Sequence, residues 1–205
     1  MDLKFIKNIF YCISFESRRG VRILEKRYAL TSTLYKYLDI GISVGAVSCV
    51  ELVLGDNRSN QIVLSIEMWK SLMQKRMDNE RLQSPQTPLR IRDLTIKVVK
   101  MSDSEIVKIA LHDVSSLYMK PSTMLYLFDF ENCIDHMYFW LCKNTHIVNQ
   151  KFKQFVIVLQ RNNINDLCDA AKAIRESDAF DSESLVDCKL LSCAVNDILH
   201  DACNK

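Results

Sequence analysis

Hydrophobic and polar positions alternate in the first half of the chain and recur at helical spacing in the second. Val47 to Leu54 sets Val47, Cys49, Glu51 and Val53 against Ser48, Val50, Leu52 and Leu54, a two-residue period with the β-branched content of a strand. Gly55-Asp56-Asn57-Arg58-Ser59-Asn60 is dense in turn formers, and Gln61 to Leu64 reads as the returning strand of a hairpin. Ser65 is placed to cap a helix, with Glu67 in its first turn and apolar residues at 68, 69, 72, 73 and 77 on one stripe. The preceding stretch, Tyr28 to Ile42, carries two patterns. Leu34, Tyr37 and Leu38 suit one face of a helix, whereas Leu38, Ile40 and Ile42 alternate, which leaves open a short helix running into a strand. Gly41 and Gly45 are expected to mark breaks or bulges.

Ser84-Pro85-Gln86-Thr87-Pro88 is the Pro-rich connector and the expected boundary between units. Beyond it the scheme recurs. Leu89 to Met101 alternates, Ser102-Asp103-Ser104 turns, Glu105 to Leu111 returns, and Ser116 to Lys120 adds a short strand. Pro121 then sits where a first helical residue belongs. An apolar helix is expected over 121–142, followed by helices at about 145–160, 163–176 and 184–202. The fold class expected is therefore α+β: antiparallel meander-plus-helix units with a helical carboxy-terminal region. The expected division is a basic amino-terminal segment, 1–25, a first sheet-helix unit, 26–84, a second, 89–142, and the helical region, 145–205. The junctions Ile62 to Met73 and Leu117 to Phe128 share a pattern of strand end, cap and large apolar residue, which suggests a duplication about a pseudo-twofold axis.

Composition sharpens this in one respect. The formal net charge of +2 conceals a split: residues 1–100 carry 17 Lys and Arg against 10 Asp and Glu, and residues 101–205 carry 10 against 15. A basic, strand-rich front precedes an acidic, helical back, and Ser177 to Ser184 reads as an exposed acidic loop. The eight cysteines are irregularly spaced with no C-x-x-C pair, so reduced thiols and an intracellular setting are expected. The apolar run Ile9 to Phe15 is short for a signal peptide and is followed by Glu16, Arg18 and Arg19. No stretch approaches the ~20 apolar residues of a membrane span.

The start Lys26-Arg27-Tyr28, the strands after it, and the entry Ile62-Val63-Leu64-Ser65 into a helix bearing Trp69 together resemble the positive-cofactor-four type of transcriptional coactivator. More broadly they are similar to the single-stranded-nucleic-acid-binding regulators that include the Whirly and Pur proteins. The resemblance covers residues 26–80 and extends in pattern to 90–142. It implies curved antiparallel sheets with a helix, paired by dimerisation or duplication, holding unpaired strands, and it implies a nuclear setting. Two departures stand out. The family's basic, glycine-rich turn appears here as Gly55 to Gln61 with Arg58 as its sole cation, and residues 30–38 carry a helical pattern where the family has a strand. The wording of the chain also resembles uncharacterised arthropod or insect-virus proteins, which implies no function.

Single-strand binding needs cations to track phosphates and aromatic faces on which bases stack. The residues expected to supply them are Lys26, Arg27, Tyr28, Tyr35, Lys36, Arg58, Arg90, Arg92, Lys97 and Lys100, with Tyr37 beside them. Taken as one continuous strand, 89–101 puts Arg90 and Arg92 on one face and Lys97 on the other. Cys133, His136, Cys142 and His146 spell C-x2-H-x5-C-x3-H, a zinc-like spacing. On one unbroken helix, nine residues from Cys133 to Cys142 rotate by about 900°, which sets the two pairs on opposite sides. No metal or other cofactor is therefore expected. His112-Asp113 and Cys133 with His136 lack any nucleophile elbow, phosphate loop or matched carboxylate pair, so no enzyme is expected. The alternative function is an assembly protein that uses the helical, acidic carboxy-terminal region as a dimer seam or docking surface, with no nucleic-acid role.

Overall fold

A computed structural model describes residues 21–76, 88–112, 114–164 and 166–203. The signal-peptide-like start, the basic pair Arg18 and Arg19, and the connector residues 84–87 lie outside the described residues. Two four-stranded antiparallel meander sheets are each followed by a helix, and a helical region completes the chain. The first sheet runs in sequence order through β1 (Arg22–Ala29), β2 (Lys36–Ser43), β3 (Cys49–Asp56) and β4 (Gln61–Leu64), and leads into α1 (Ile66–Gln74). The second repeats that order with β5 (Leu89–Ile91), β6 (Leu94–Met101), β7 (Ser104–Leu111) and β8 (Ser115–Met119), and leads into α2 (Pro121–Phe128). After these come α3 (Glu131–Arg161), α4 (Leu167–Arg175), α5 (Leu185–Cys193) and α6 (Val195–Cys203).

The chain forms two compact units. Of the described residues, those in 25–41 and 50–141 make up one, and those in 21–24, 42–49 and 142–203 make up the other. In the first unit, Ser65 caps α1 by accepting the Met68 N–H at 3.2 Å, and Trp69, Leu72 and Met73 turn inward. Lys120 precedes α2 with extended backbone and Pro121 opens the helix, where its missing N–H costs nothing. The inner face of the second sheet is Ile91, Leu94, Ile96, Val107, Ile109, Leu117 and Met119, all buried, and α2 lies against β7 with Met124, Leu127 and Phe128 buried.

The ambiguous segment before β3 is two strands and a turn, with no helix. Leu30 N–H bonds Lys36 C=O at 2.9 Å, Lys36 N–H bonds Thr31 Oγ1 at 3.1 Å, and Leu34 stands exposed at the tip with φ 57°. The helical spacing of Leu34, Tyr37 and Leu38 mixed one turn residue with two strand residues. Gly41 lies inside β2 and breaks nothing, while Gly55 is needed for space, because a Cβ there would come 2.6 Å from the Tyr37 ring.

The helix expected over 121–142 ends early, at Phe128, and the next one is longer. Asp129 closes α2, and Phe130 C=O accepts the Ile134 N–H at 2.8 Å to open α3. From there 31 residues continue without interruption, because Lys143-Asn144-Thr145 contains no Gly or Pro to stop them. Cys133, His136, Cys142 and His146 thus share one continuous helix. Among the described residues no three His, Cys, Asp or Glu side chains gather as a metal site, and no helix is long and apolar enough to cross a membrane.

In the second unit Val148, Phe152, Phe155, Val156 and Leu159 of α3 are buried, as are Ala170 and Ile174 of α4, Leu190 of α5 and Ile198 of α6. Asp187, fully buried, fastens the acidic loop. It receives Lys151 Nζ at 2.7 Å, the Asp181 N–H at 2.9 Å and the Ser184 hydroxyl at 3.0 Å. Glu176, Asp178, Asp181 and Glu183 stay exposed around it.

Lys36 and Asp56 form a second buried anchor, between β2 and β3, with Nζ 2.9 Å from Oδ2. Asp56 also accepts the N–H groups of Arg58 and Asn60 at 2.9 and 3.1 Å and the Asn60 side-chain amide, so one carboxylate organises the whole Gly55 to Gln61 turn. Burial opposes its ionisation, but the bonds from Lys36, Asn60 and Arg58 overcome that and hold the carboxyl below the ordinary carboxylate range. A group with a depressed folded pKa stabilises above its unfolded value, about 3.9, and loses that contribution as pH falls through the folded value. Asp56→Ala is expected to cost about 3–5 kcal/mol, because it leaves the Lys36 ammonium buried and unpaired. Urea unfolding at pH 7 checks this, and the gap between variant and parent should narrow as the pH is taken from 5 toward 2.

Candidate functional site

The expected cations and aromatic residues have different fates in the two sheets. On the first, Arg27 spans to β2 and forms a two-pronged ion pair with the fully buried Asp39, both contacts at 2.7 Å, while its guanidinium lies 3.8 Å from the centroid of the Tyr37 ring. The Asp39 hydrogen bond is the largest influence on Arg27 and raises its pKa further above an already high value, although burial acts against it. Tyr37 is buried, and its hydroxyl accepts the Gln61 side-chain amide at 2.9 Å. Lys36 is buried in its pair with Asp56, and its Nζ sits 5.1 Å from the centre of the half-buried Tyr35 ring. Tyr28 is half-buried against Phe130, with ring centroids 5.1 Å apart. Burial raises its phenol pKa, and Cys133 adds to the shift. Lys26 and Arg58 are exposed, on β1 and in the β3–β4 turn. The first sheet therefore commits two of its expected cations to carboxylates: Lys36 buried on Asp56, and Arg27 at the surface, reaching down to the buried Asp39.

On the second sheet the register is complete and decides the geometry. Segment 89–101 is two strands joined at Arg92-Asp93, with Arg90 opposite Thr95 and Leu89 opposite Ile96. This reverses the parity read from a single strand: Arg90 and Lys97 share the outer face, and Arg92, at φ 52°, belongs to the turn. Lys100 falls on the other face, where it stands directly opposite Glu105. Lys97 stands directly opposite Lys108, and Lys108 stands directly opposite Tyr118. The outer face thus presents Arg90 from β5, Lys97 from β6, Lys108 from β7 and Tyr118 from β8, one residue per strand. Arg90 and Lys97 are exposed, Lys108 is half-buried and Tyr118 is 42% exposed. The Lys108 ammonium lies 5.7 Å from the centre of the Tyr118 ring. Thr95 and Ser116 flank Ala110 in the neighbouring row and bring two hydroxyls to the same face.

Lys108 and Tyr118 were not among the residues singled out from sequence. The signal for them was present, since centring the β6–β7 turn on Ser102-Asp103 fixes Met101 opposite Ser104 and, by counting, Lys97 opposite Lys108. His112, the other polar residue considered near this sheet, lies in an exposed turn with Nε2 3.7 Å from Asp93 Oδ2, and Asp113 lies outside the described residues.

Comparison with protein-family models, with curated proteins and with solved structures gives no match. The chemistry of this face therefore has to be read from its own residues. Neither Lys97 nor Lys108 forms an ion pair among the described residues, and like charges directly opposite on adjacent strands repel. Three cations beside an aromatic ring and two hydroxyls can hold a polyanion that also offers a flat apolar surface.

The Lys97–Lys108 opposition has a measurable consequence for stability. Lys108→Glu turns a repulsive cross-strand pair into an attractive one and should raise stability by about 0.2–1 kcal/mol. Thermal melts at low salt check the gain, and it should shrink at 1 M salt, where exposed charges are screened.

Proposed function

We propose that this chain is a non-enzymatic regulator that binds single-stranded nucleic acid, DNA or RNA, on the outer face of its second sheet, and that it acts in the nucleus. The observation that supports the reading is the gathering of Arg90, Lys97, Lys108 and Tyr118 on one face, one from each strand. Backbone phosphates are neutralised by cations without regard to sequence, and an aromatic face accepts any base. Duplex DNA hides its base faces in the stack, so Tyr118 favours an unpaired strand. The resemblance of residues 26–80 to the positive-cofactor-four and Whirly group points to the same ligand class, although in this chain the first sheet pairs Arg27 and Lys36 with carboxylates.

Titration of a labelled 20-nucleotide single strand and the matching duplex at two salt concentrations tests this. Three cations predict a log–log salt slope of about −2 for the single strand, and Lys97→Ala or Lys108→Ala should each reduce its steepness by about 0.7. Tighter binding of the single strand than of the duplex is expected. If no salt-sensitive binding is found, the reading fails, and the acidic carboxy-terminal region, with its loop anchored by Asp187, becomes the surface to probe for a protein partner.

A further inference from the structure

The outer face of the second sheet is more specific than a basic patch, because three of its side chains stand in one line. Lys97, Lys108 and Tyr118 are mutually opposite across β6, β7 and β8, so the line runs perpendicular to the strands. Adjacent strands lie about 4.8 Å apart, which places the two ammonium groups on neighbouring strands and the ring one strand further on. A phosphodiester has one negative charge and two non-bridging oxygens, and two adjacent ammonium donors can bracket it. The base of the same nucleotide is then carried toward the Tyr118 ring. Arg90 lies one strand beyond Lys97 and one row along, in register with Thr95, so it is the next cation along the line.

Resting on the nucleic-acid reading above, we infer that this line is a seat for a short stretch of single strand that crosses the sheet at right angles to its strands. One phosphate sits between Lys97 and Lys108, its base stacks on Tyr118, and the adjoining phosphate reaches Arg90. From Arg90 to Tyr118 is three strand spacings across and one row along, about 16 Å, which limits the contacted length to about three nucleotides. The seat reads neither base identity nor sugar, because a ring and three cations offer no pattern of donors and acceptors to a base edge.

Fluorescence anisotropy with labelled oligothymidylates of 3 and 20 nucleotides, and with a trimer abasic at its centre, tests the seat. After correction for the number of registers on the longer strand, the trimer should bind within about tenfold of the 20-mer. Removing its central base should weaken it about tenfold. Tyr118→Phe should keep this preference. Tyr118→Leu should lose affinity by the same factor as the abasic change, and combining the two should cost no more than either alone. A 20-mer that binds while the trimer is more than a hundredfold weaker, or a trimer indifferent to its central base, overturns the seat and leaves the broader reading standing. Absence of binding by the 20-mer at low salt removes both. Should Tyr118→Leu fail to fold, the abasic arm on the parent protein still decides the question.

Discussion

Two short turns, Arg92-Asp93 and Ser102-Asp103, decide which side chains of the second sheet share a face. Strand alternation has a period of two, so the length of a turn fixes the parity of everything that follows it, and a slip of one residue would exchange the two faces entirely. Arg90 and Lys97 meet on the outer face because the first turn intervenes between them, and Lys108 joins them because the second is equally tight. The inner face is the same constraint seen from the other side. Ile91, Leu94, Ile96, Val107, Ile109, Leu117 and Met119 are buried together, and a slip of one residue would put Lys97 or Lys108 on their side. Apolar burial therefore holds two like charges opposite one another, since several buried aliphatic side chains at about 1.5–3 kcal/mol each outweigh a surface repulsion of less than 1 kcal/mol.

The first sheet shows the opposite use of charge. Its β2 strand is buried on both faces along nearly its whole length, so a charge on it, Lys36 or Asp39, has to find a partner of opposite sign. Lys36 finds Asp56, and Arg27 finds Asp39 while covering the Tyr37 ring. Tyr37 in turn needs the bare backbone of Gly55 beneath it. These contacts tie β1, β2, β3 and the β3–β4 turn into one arrangement, and they make strand pairing specific where apolar residues alone would tolerate slippage. The same residue types thus lock the architecture of one sheet and leave the other with an unneutralised surface.

Much of the fold was legible because its signals are local. The turn formers from Gly55 to Asn60, the Ser65 cap, Pro121 at a helix start and the alternation of β3, β6 and β7 each carry their meaning within a few residues. What was not legible depended on partners far along the chain. Nothing near Lys36 announces burial; Asp56, twenty residues away, does. The parity of Arg90 and Lys97 could not be read without recognising that Arg92-Asp93 is a turn, and neither residue is a glycine or proline. The helices before and after Lys143 fused into one because a polar stretch without a breaker is compatible with a solvated helix surface. Lys108 and Tyr118 carry no signal of their own for a related reason: each stands between apolar neighbours in its strand, and only cross-strand pairing brings them to Lys97.

The turns themselves are unusual in what they are made of. Leu34, Ser59, Arg92, Ser102 and His112 all adopt left-handed backbone, with φ between 50° and 65°, and no described glycine does. Such a conformation costs an ordinary residue about 1–2 kcal/mol. Bending the chain at these points is therefore uphill until strands on either side have found one another. Preformed hairpins are a poor starting point for such a chain, and its sheets should assemble together with the cores they cover. Long-range pairing of that kind is slow to begin and cooperative once begun. A newly made chain would then pass through a period in which the strands that end up most deeply buried, β2 and β3, are synthesised but not yet sheltered.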